Sequence, residues 1–143
     1  MQNHFKLTVD SRSINEAFCR AVVAAFMMPL DPTIEELSDV KTAVSEAVTN
    51  AIVHGYGDAG GVITVEGSIK DNGMVTVKIS DKGVGIPDVA RAMEPLYTTG
   101  GSDRAGLGFT VMQSFCDRMK VTSKEGKGTS VLLTKRIAGR RQW

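Results

Sequence analysis

The sequence is poor in the residues from which metal centres and disulfide frameworks are built. Its two cysteines, Cys19 and Cys116, lie far apart and form no CxxC pair, and it has only two histidines. A structural zinc site therefore lacks ligands, and nothing points to an oxidising compartment. No apolar run approaches the roughly 18–20 residues of a membrane span, and no signal-peptide pattern opens the chain. These absences predict a reduced, cytoplasmic protein with no membrane partner. No GxxxxGK[ST] run occurs, which excludes a P-loop, and no HRD or DFG triplet of the protein-kinase fold is found. Gly83-Val84-Gly85 follows an apolar segment, but Asp88 stands where a dinucleotide-binding fingerprint needs Gly or Ala. Neither histidine lies near a nucleophile-elbow sequence, so a Ser-His-Asp hydrolase is poorly supported.

Net charge is almost absent as well: 17 Lys and Arg against 16 Asp and Glu leave +1. That balance conceals a split, because Lys135, Arg136, Arg140 and Arg141 place four cations in the last nine residues. The residues before them hold 13 cations and 16 acids, a net −3. Such a body lacks the basic field of a nucleic-acid binder, so no direct nucleic-acid partner is expected. Residues 1–135 read as one domain and 136–143 as a short basic tail, solvated or touching acidic partners.

What is present is ordinary for a globular domain. The 143 residues are 42% hydrophobic and 23% charged, enough to bury about two-thirds of the unfolded surface. Phe5, Leu7 and Val9 alternate as in a strand. Ser13 and Glu16 have capping-box spacing, and Ile14, Ala17, Phe18, Ala21, Val22 and Ala25 recur at helical intervals up to about Met28. Asp31-Pro32 offers an N-cap and first position for a second helix, carried by Ile34, Leu37, Val40, Val44, Val48, Ala51 and Ile52 to about His54, with Gly55 as C-cap. Residues 62–69 and 74–80 predict a hairpin around Asp71-Asn72-Gly73. A long Gly/Pro/Thr-rich segment, 81–105, holds one short helix near 88–93. A third helix runs from about Leu107 to Met119, and a last hairpin spans 120–124 and 129–135. The predicted class is α+β: two layers, with a mixed, mostly antiparallel sheet and helices on one face.

Three segments can carry chemistry. Glu46, Asn50 and His54 follow one another at four-residue intervals, about 6 Å apart along one helical face. A carboxylate, an amide oxygen and an imidazole in line can hold Mg²⁺, orient water or take a proton; a solvated polar stripe has the same spacing. Asp81-Lys82-Gly83-Val84-Gly85 ends a strand, where Asp81 can accept from an amino group and the glycines admit a ligand to the backbone. A tight strand-to-loop turn would look alike. Arg104-Ala105-Gly106-Leu107-Gly108 opens the third helix, where free N–H groups favour an anion, or it is simply a glycine-rich entry.

In this order the three segments resemble the N, G1 and G2 boxes of the GHKL (Bergerat) ATP-binding superfamily of gyrases, chaperones and histidine kinases. Ser45-Glu46-Ala47-Val48-Thr49-Asn50-Ala51-Ile52-Val53-His54-Gly55-Tyr56 is similar almost throughout to the N box of the bacterial anti-sigma serine kinases. Phe18-Cys19-Arg20-Ala21, Asp31-Pro32-Thr33 and Pro95-Leu96-Tyr97-Thr98-Thr99 resemble the anti-sigma F branch found in spore-forming bacteria. The likeness covers residues 5–135.

The resemblance implies ATP or ADP as nucleotide, with Asn50 as ligand of Mg²⁺ and Glu46 as the general base toward an acceptor serine. It makes Asp81 the adenine reader, lets Gly83 and Gly85 pass beside the base, and puts Thr129 near adenine. His54, Thr98, Thr99, Gly106, Leu107 and Gly108 line or cover the nucleotide, and Arg104 meets the phosphate or the protein substrate from the end of a short lid, Thr98–Gly106. Arg20 belongs to the partner-binding surface. The partners implied are a sigma factor of the F type, an anti-anti-sigma antagonist as phosphorylation substrate, and a second copy of the chain through the first strand and first helix. Alternatives are a nucleotide-dependent sequestering module without turnover, the related stress-response anti-sigma kinase, an ATPase acting through water, and an isolated histidine-kinase catalytic domain. At this length a complete histidine kinase is excluded.

Overall fold

The computed structural model describes residues 2–56, 60–85 and 104–140, and for His54, Tyr56 and residues 104–108 the backbone alone. Alternating sequence becomes five strands: β1 (Asn3–Asp10), β2 (Val62–Ile69), β3 (Met74–Asp81), β4 (Arg118–Lys124) and β5 (Gly128–Arg136). They form one sheet in the order β1-β2-β3-β5-β4. Every neighbouring pair is antiparallel, so the sheet among the described residues is not mixed as expected. Three helices, α1 (Ile14–Met27), α2 (Ile34–Asn50) and α3 (Arg104–Phe115), cover one face. Ile63, Val65, Val77, Ile79, Val131 and Leu133 point into that layer and meet Val23, Met27, Val44, Val48 and Met112, all buried. Among the described residues, no helix is long and apolar enough to cross a membrane.

The sequence expectation for α1 is inverted. Its core face is Cys19, Val23 and Met27, while Ala17, Ala21 and Ala25 are exposed together with Ile14 (69%) and Phe18 (52%). The helix is apolar on both faces, so helical periodicity selected the wrong one. Phe26 on its inner side meets the Phe5 ring edge-on, with centroids 4.7 Å apart. Ser13 makes no side-chain cap, so the spacing to Glu16 closes no capping box.

The cap of α2 is likewise displaced. Asp31 sits in the left-handed region (φ 51°) at the end of a short 3₁₀ turn, Met28–Leu30, and cannot serve as N-cap. Thr33 takes the role: its hydroxyl accepts from the Glu36 N–H at 3.0 Å, and the Glu36 carboxylate accepts from the Thr33 N–H at 2.9 Å. At its other end α2 does not run on to His54. Ala51–Tyr56 wind as a π-helical turn, and Gly55 lies inside it rather than acting as a C-cap. The helix α3 begins at Arg104, earlier than predicted, and stops at Phe115. Met119 has left the helical series and alternates with Val121 as an inward residue of β4. The predicted helix near 88–93 lies outside the described residues.

The segment after β5 is docked rather than solvated. The Glu36 carboxylate accepts the N–H groups of Ala138 (2.7 Å) and Gly139 (3.1 Å). Arg140 pairs with Asp31 through its guanidinium, and its backbone N–H donates to the Asp31 carbonyl at 2.8 Å. Lys135 pairs with Asp39 at 3.4 Å, both side chains largely buried. Thus three acids within residues 31–39 hold the chain end against the start of α2. Burial pushes the Glu36 carboxyl up, but hydrogen bonds from the amides of Thr33, Ala138 and Gly139 and from the Thr33 hydroxyl outweigh it and hold the group below its ordinary value.

Thr33→Ala removes one cap and should cost about 1 kcal/mol. Glu36→Ala also strands the Ala138 and Gly139 amides and should cost more, read as midpoints of urea unfolding. Because folding lowers its pKa, the Glu36 contribution is complete above the unfolded value near 4.5 and disappears as pH falls through the folded one. Equal losses in the two variants at pH 7 would refute the second role of this carboxylate.

Candidate functional site

Two polar side chains are buried among the described residues, Asn50 at 8% and Asp81 at 9% exposure. Both belong to the segments that carry the family resemblance, Asn50 at helical spacing and Asp81 at a strand end before paired glycines. Asn50 ends α2, and neither its amide oxygen nor its nitrogen has a hydrogen-bond partner among the described residues. Leaving such a group unmade costs about 1–3 kcal/mol, which makes this buried amide a candidate ligand-binding group. Asp81 ends β3 and is held from two sides. The Gly83 N–H donates to its Oδ1 at 2.9 Å, and the Thr129 backbone N–H, opposite Asp81 in the β3–β5 register, donates as well. Burial raises the Asp81 pKa and the two amides only partly offset it.

The glycines do something other than expected. A Cβ at Gly83 would collide with the Gly55 carbonyl, and the Val84 N–H donates to that same oxygen at 2.9 Å. A Cβ at Gly55 would in turn lie 2.9 Å from the Asp81 carboxylate. The π-helical turn after α2 is therefore pressed onto the end of β3 by backbone contact. Gly85 (φ 76°) packs on the Lys124 backbone, and the Gly126 N–H donates to the Val84 carbonyl at 2.6 Å. Sequence reasoning treated Gly55 as a helix stop and missed this contact. A glycine following Asn50 by five residues, with another two after Asp81, was its only sign.

Glu46 is half-buried one turn before Asn50 and lines a groove of about 590 Å³ between α1 and α2. Arg20 lies in the same groove, its Nη1 3.0 Å from Glu16 Oε1 and 3.3 Å from Ser45 Oγ. The structure thus brings Arg20 and Glu46 together. Ser45, which steadies the guanidinium, had been read only as part of a motif.

From Ala51 onward the chain is a π-helical turn with i→i+5 bonding, so His54 follows Asn50 on a wider helical winding than Asn50 follows Glu46. The His54 side chain itself lies outside the described residues, as do Thr98 and Thr99. Thr129 is half-buried, with its Oγ1 2.8 Å from Ser123 Oγ. Arg104 is the first residue of α3 rather than the end of a lid before it. The intrahelically unpaired N–H groups are then those of Arg104 to Leu107. Gly106 and Gly108 fall inside the helix, where each weakens it by about 1 kcal/mol relative to alanine. No group of three His, Cys, Asp or Glu able to hold a metal occurs among the described residues. A cation here would need Asn50 together with ligand oxygens, the habit of Mg²⁺ bound with phosphates. Burial raises both thiols, Cys116 to about 11, which leaves neither suited to nucleophilic or metal-ligating work.

Comparisons with known proteins agree with this geometry. Residues 10–135 match the model of the histidine kinase-like ATPase domain. An anti-sigma F factor from Clostridium acetobutylicum is 50% identical over 139 residues, 96% of each chain. One from Caldanaerobacter subterraneus subsp. tengcongensis is 54% identical over 140 residues, 97% of each chain. Among solved structures, the RsbU and RsbW domains of a Mycobacterium tuberculosis protein share the fold with a TM-score of 0.70 at 20% identity, over 94% of this chain and 32% of that one. The Mycobacterial sensor histidine kinase MprB aligns with a TM-score of 0.59 at 19% identity, over 93% of this chain and 99% of that one. By this match and these relatives, the chain belongs to the histidine kinase-like ATPases and, among them, to the anti-sigma F factors.

Proposed function

We propose that this chain sequesters a sigma factor of the F type from RNA polymerase and uses ATP with Mg²⁺ to phosphorylate a serine of an anti-anti-sigma antagonist. The observation that carries the reading is the pairing of a buried, unpartnered Asn50 with a carboxylate, Glu46, one turn earlier on a groove wide enough for a protein side chain. A sequestering module without turnover has no use for Glu46 there.

In this reading Asp81, oriented by the Gly83 and Thr129 amides, accepts from the adenine amino group. Mg²⁺ on the Asn50 amide oxygen supplies charge neutralisation for the phosphates. Gly106 and Leu107 offer backbone N–H groups to phosphate oxygens, Gly108 beside them adds no side chain to the covering turn, and Arg104 adds a cation at the same helix start. Glu46 takes the proton from the antagonist's serine hydroxyl as the serine oxygen bonds to the γ-phosphorus, the bond from that phosphorus to the β–γ bridging oxygen breaks, and ADP leaves. Arg20, fixed by Glu16 and Ser45, presents a guanidinium to either protein partner from the rim of that groove. Unphosphorylated antagonist then displaces sigma by mass action, and its phosphorylation reverses the exchange.

The exposed apolar stripe of α1, Ile14 and Phe18 with Ala17 and Ala21, supports a homodimer. The first strand contributes less than the sequence suggested, because Phe5, Leu7 and Val9 are already packed on the core.

Three outcomes test these assignments. Asp81→Asn keeps one carbonyl oxygen but removes a buried charge; nucleotide affinity should fall about tenfold to a hundredfold by calorimetry while the thermal midpoint does not drop. Unchanged affinity would remove Asp81 from the adenine site. Glu46→Gln should slow serine phosphorylation by about 10²–10⁴-fold at unaltered nucleotide and sigma affinity, and a wild-type rate with purified antagonist would exclude it as base. Ile14→Asp/Phe18→Asp should sediment as a monomer; a dimer retained by this variant would place the interface elsewhere.

A further inference from the structure

The sheet face turned away from the helices is strongly one-sided in charge. Alternation sends Lys78 of β3, Arg136 of β5 and Arg118, Lys120 and Lys124 of β4 outward, and all five are exposed. No carboxylate shares the outward face of these three strands. The adjoining β1–β2 part is nearly balanced, with Glu66 3.9 Å from Lys6. Asp117 precedes β4 and Glu125 lies in the β4–β5 turn, so acids reach only the corners, and Asp117 is engaged by the Arg136 N–H at 2.7 Å. None of the five cations has an ion-pair partner among the described residues.

Lysines on an edge strand have a common purpose, the prevention of edge-to-edge association. That accounts for β4, but β3 and β5 are interior strands, where Lys78 and Arg136 protect no edge. Massing like charge across neighbouring strands also costs stability. The register adds a further point: Leu132 stands between Lys78 and Lys120, half-buried, as an apolar centre in a basic surround. An apolar centre with a charged rim is how protein-binding surfaces are built.

We propose that this open face, β3–β5–β4, docks an acidic segment of a protein partner, on the opposite side of the sheet from the α1–α2 groove. The cations of β4 span about 20 Å from Arg118 to Lys124, the length of about six extended residues. A nucleic acid fits less well. With these five set aside, the other 12 cations face 16 acids, a net −4, so a long polyanion running past the patch meets a repelling surface. The outward positions carry no Phe, Tyr or Trp on which bases could stack.

The test uses the full chain and a fluorescein-labelled oligoglutamate, with a short DNA duplex as competing probe, followed by fluorescence anisotropy at low and high salt. Oligoglutamate should bind in a salt-sensitive manner and shift amide resonances of β3, β4 and β5. Arg118→Gln/Lys120→Gln/Lys124→Gln should weaken it roughly tenfold, and so should Lys78→Gln/Arg136→Gln on the interior strands, while Lys70→Gln leaves it unchanged. Nucleotide binding by each variant reports that the fold is intact, and the two independent sets guard against failure of either one. Wild-type affinity retained by both sets, shifts confined to the α1–α2 groove, or tighter binding of the duplex through the same residues would each overturn the proposal.

Discussion

The contact between the Gly55 carbonyl and the Gly83 backbone is the constraint on which the site depends. It joins the end of the helical layer to the end of a central strand with no side chain between them. Asp81 is oriented by one of the two residues that follow it on that strand, and its carboxylate is walled by Gly55. Any side chain at Gly83 would have to separate the layers, and the wedge that buries both Asn50 and Asp81 would open. A methyl group in that contact is therefore a change to the site and not merely to a turn.

The helix α2 is secured at both of its ends, by different physics. At its start, Asp31, Glu36 and Asp39 take Arg140, two backbone amides and Lys135 from the end of the chain, so the tie is polar, and its Glu36 part weakens in acid. At its end, the tie is steric and backbone-to-backbone and is insensitive to pH. Glu46 and Asn50 lie toward the second end, near the contact that permits least movement. Asp81 has the opposite linkage to Glu36: its pKa is raised on folding, so its charge works against stability at neutral pH.

The alternation of β2, β3 and β5 and the order of the elements were legible because each strand buries one face and exposes the other. Asn50 and Asp81 stood out for a related reason: Asn and Asp are poor choices for a core, and both lie buried inside otherwise apolar runs. What periodicity could not resolve was α1, where both faces are apolar and the stripe of Ile14, Ala17, Phe18 and Ala21 lies in solvent. The N-cap of α2 shows how a local cap signal can mislead. Asp31 looks like an N-cap, but Pro32 and the left-handed turn push the cap on to Thr33, whose partner Glu36 is also claimed from over a hundred residues away. No local pattern encodes that second claim. The docked terminus was hidden likewise: a run of cations reads as solvated until the acids at 31–39 are seen to face it.

The molecule separates its surfaces by layer. The interior wedge between helices and sheet holds the buried polar pair, Asn50 and Asp81. The outer face of the helices carries the groove with Arg20 and Glu46 and the apolar stripe of α1. The outer face of the sheet carries the unpaired cations. A ligand between the layers can alter what the helical face presents, because Asn50 and Glu46 are one turn apart on the same helix. The sheet face has no such lever: Lys78 and Asp81 share β3, but a strand paired on both sides transmits little displacement to an outward side chain three residues away. Occupancy of the helical face should therefore follow the nucleotide, whereas binding at the basic face should be indifferent to it. That asymmetry would let one small domain hold one partner constantly while exchanging another.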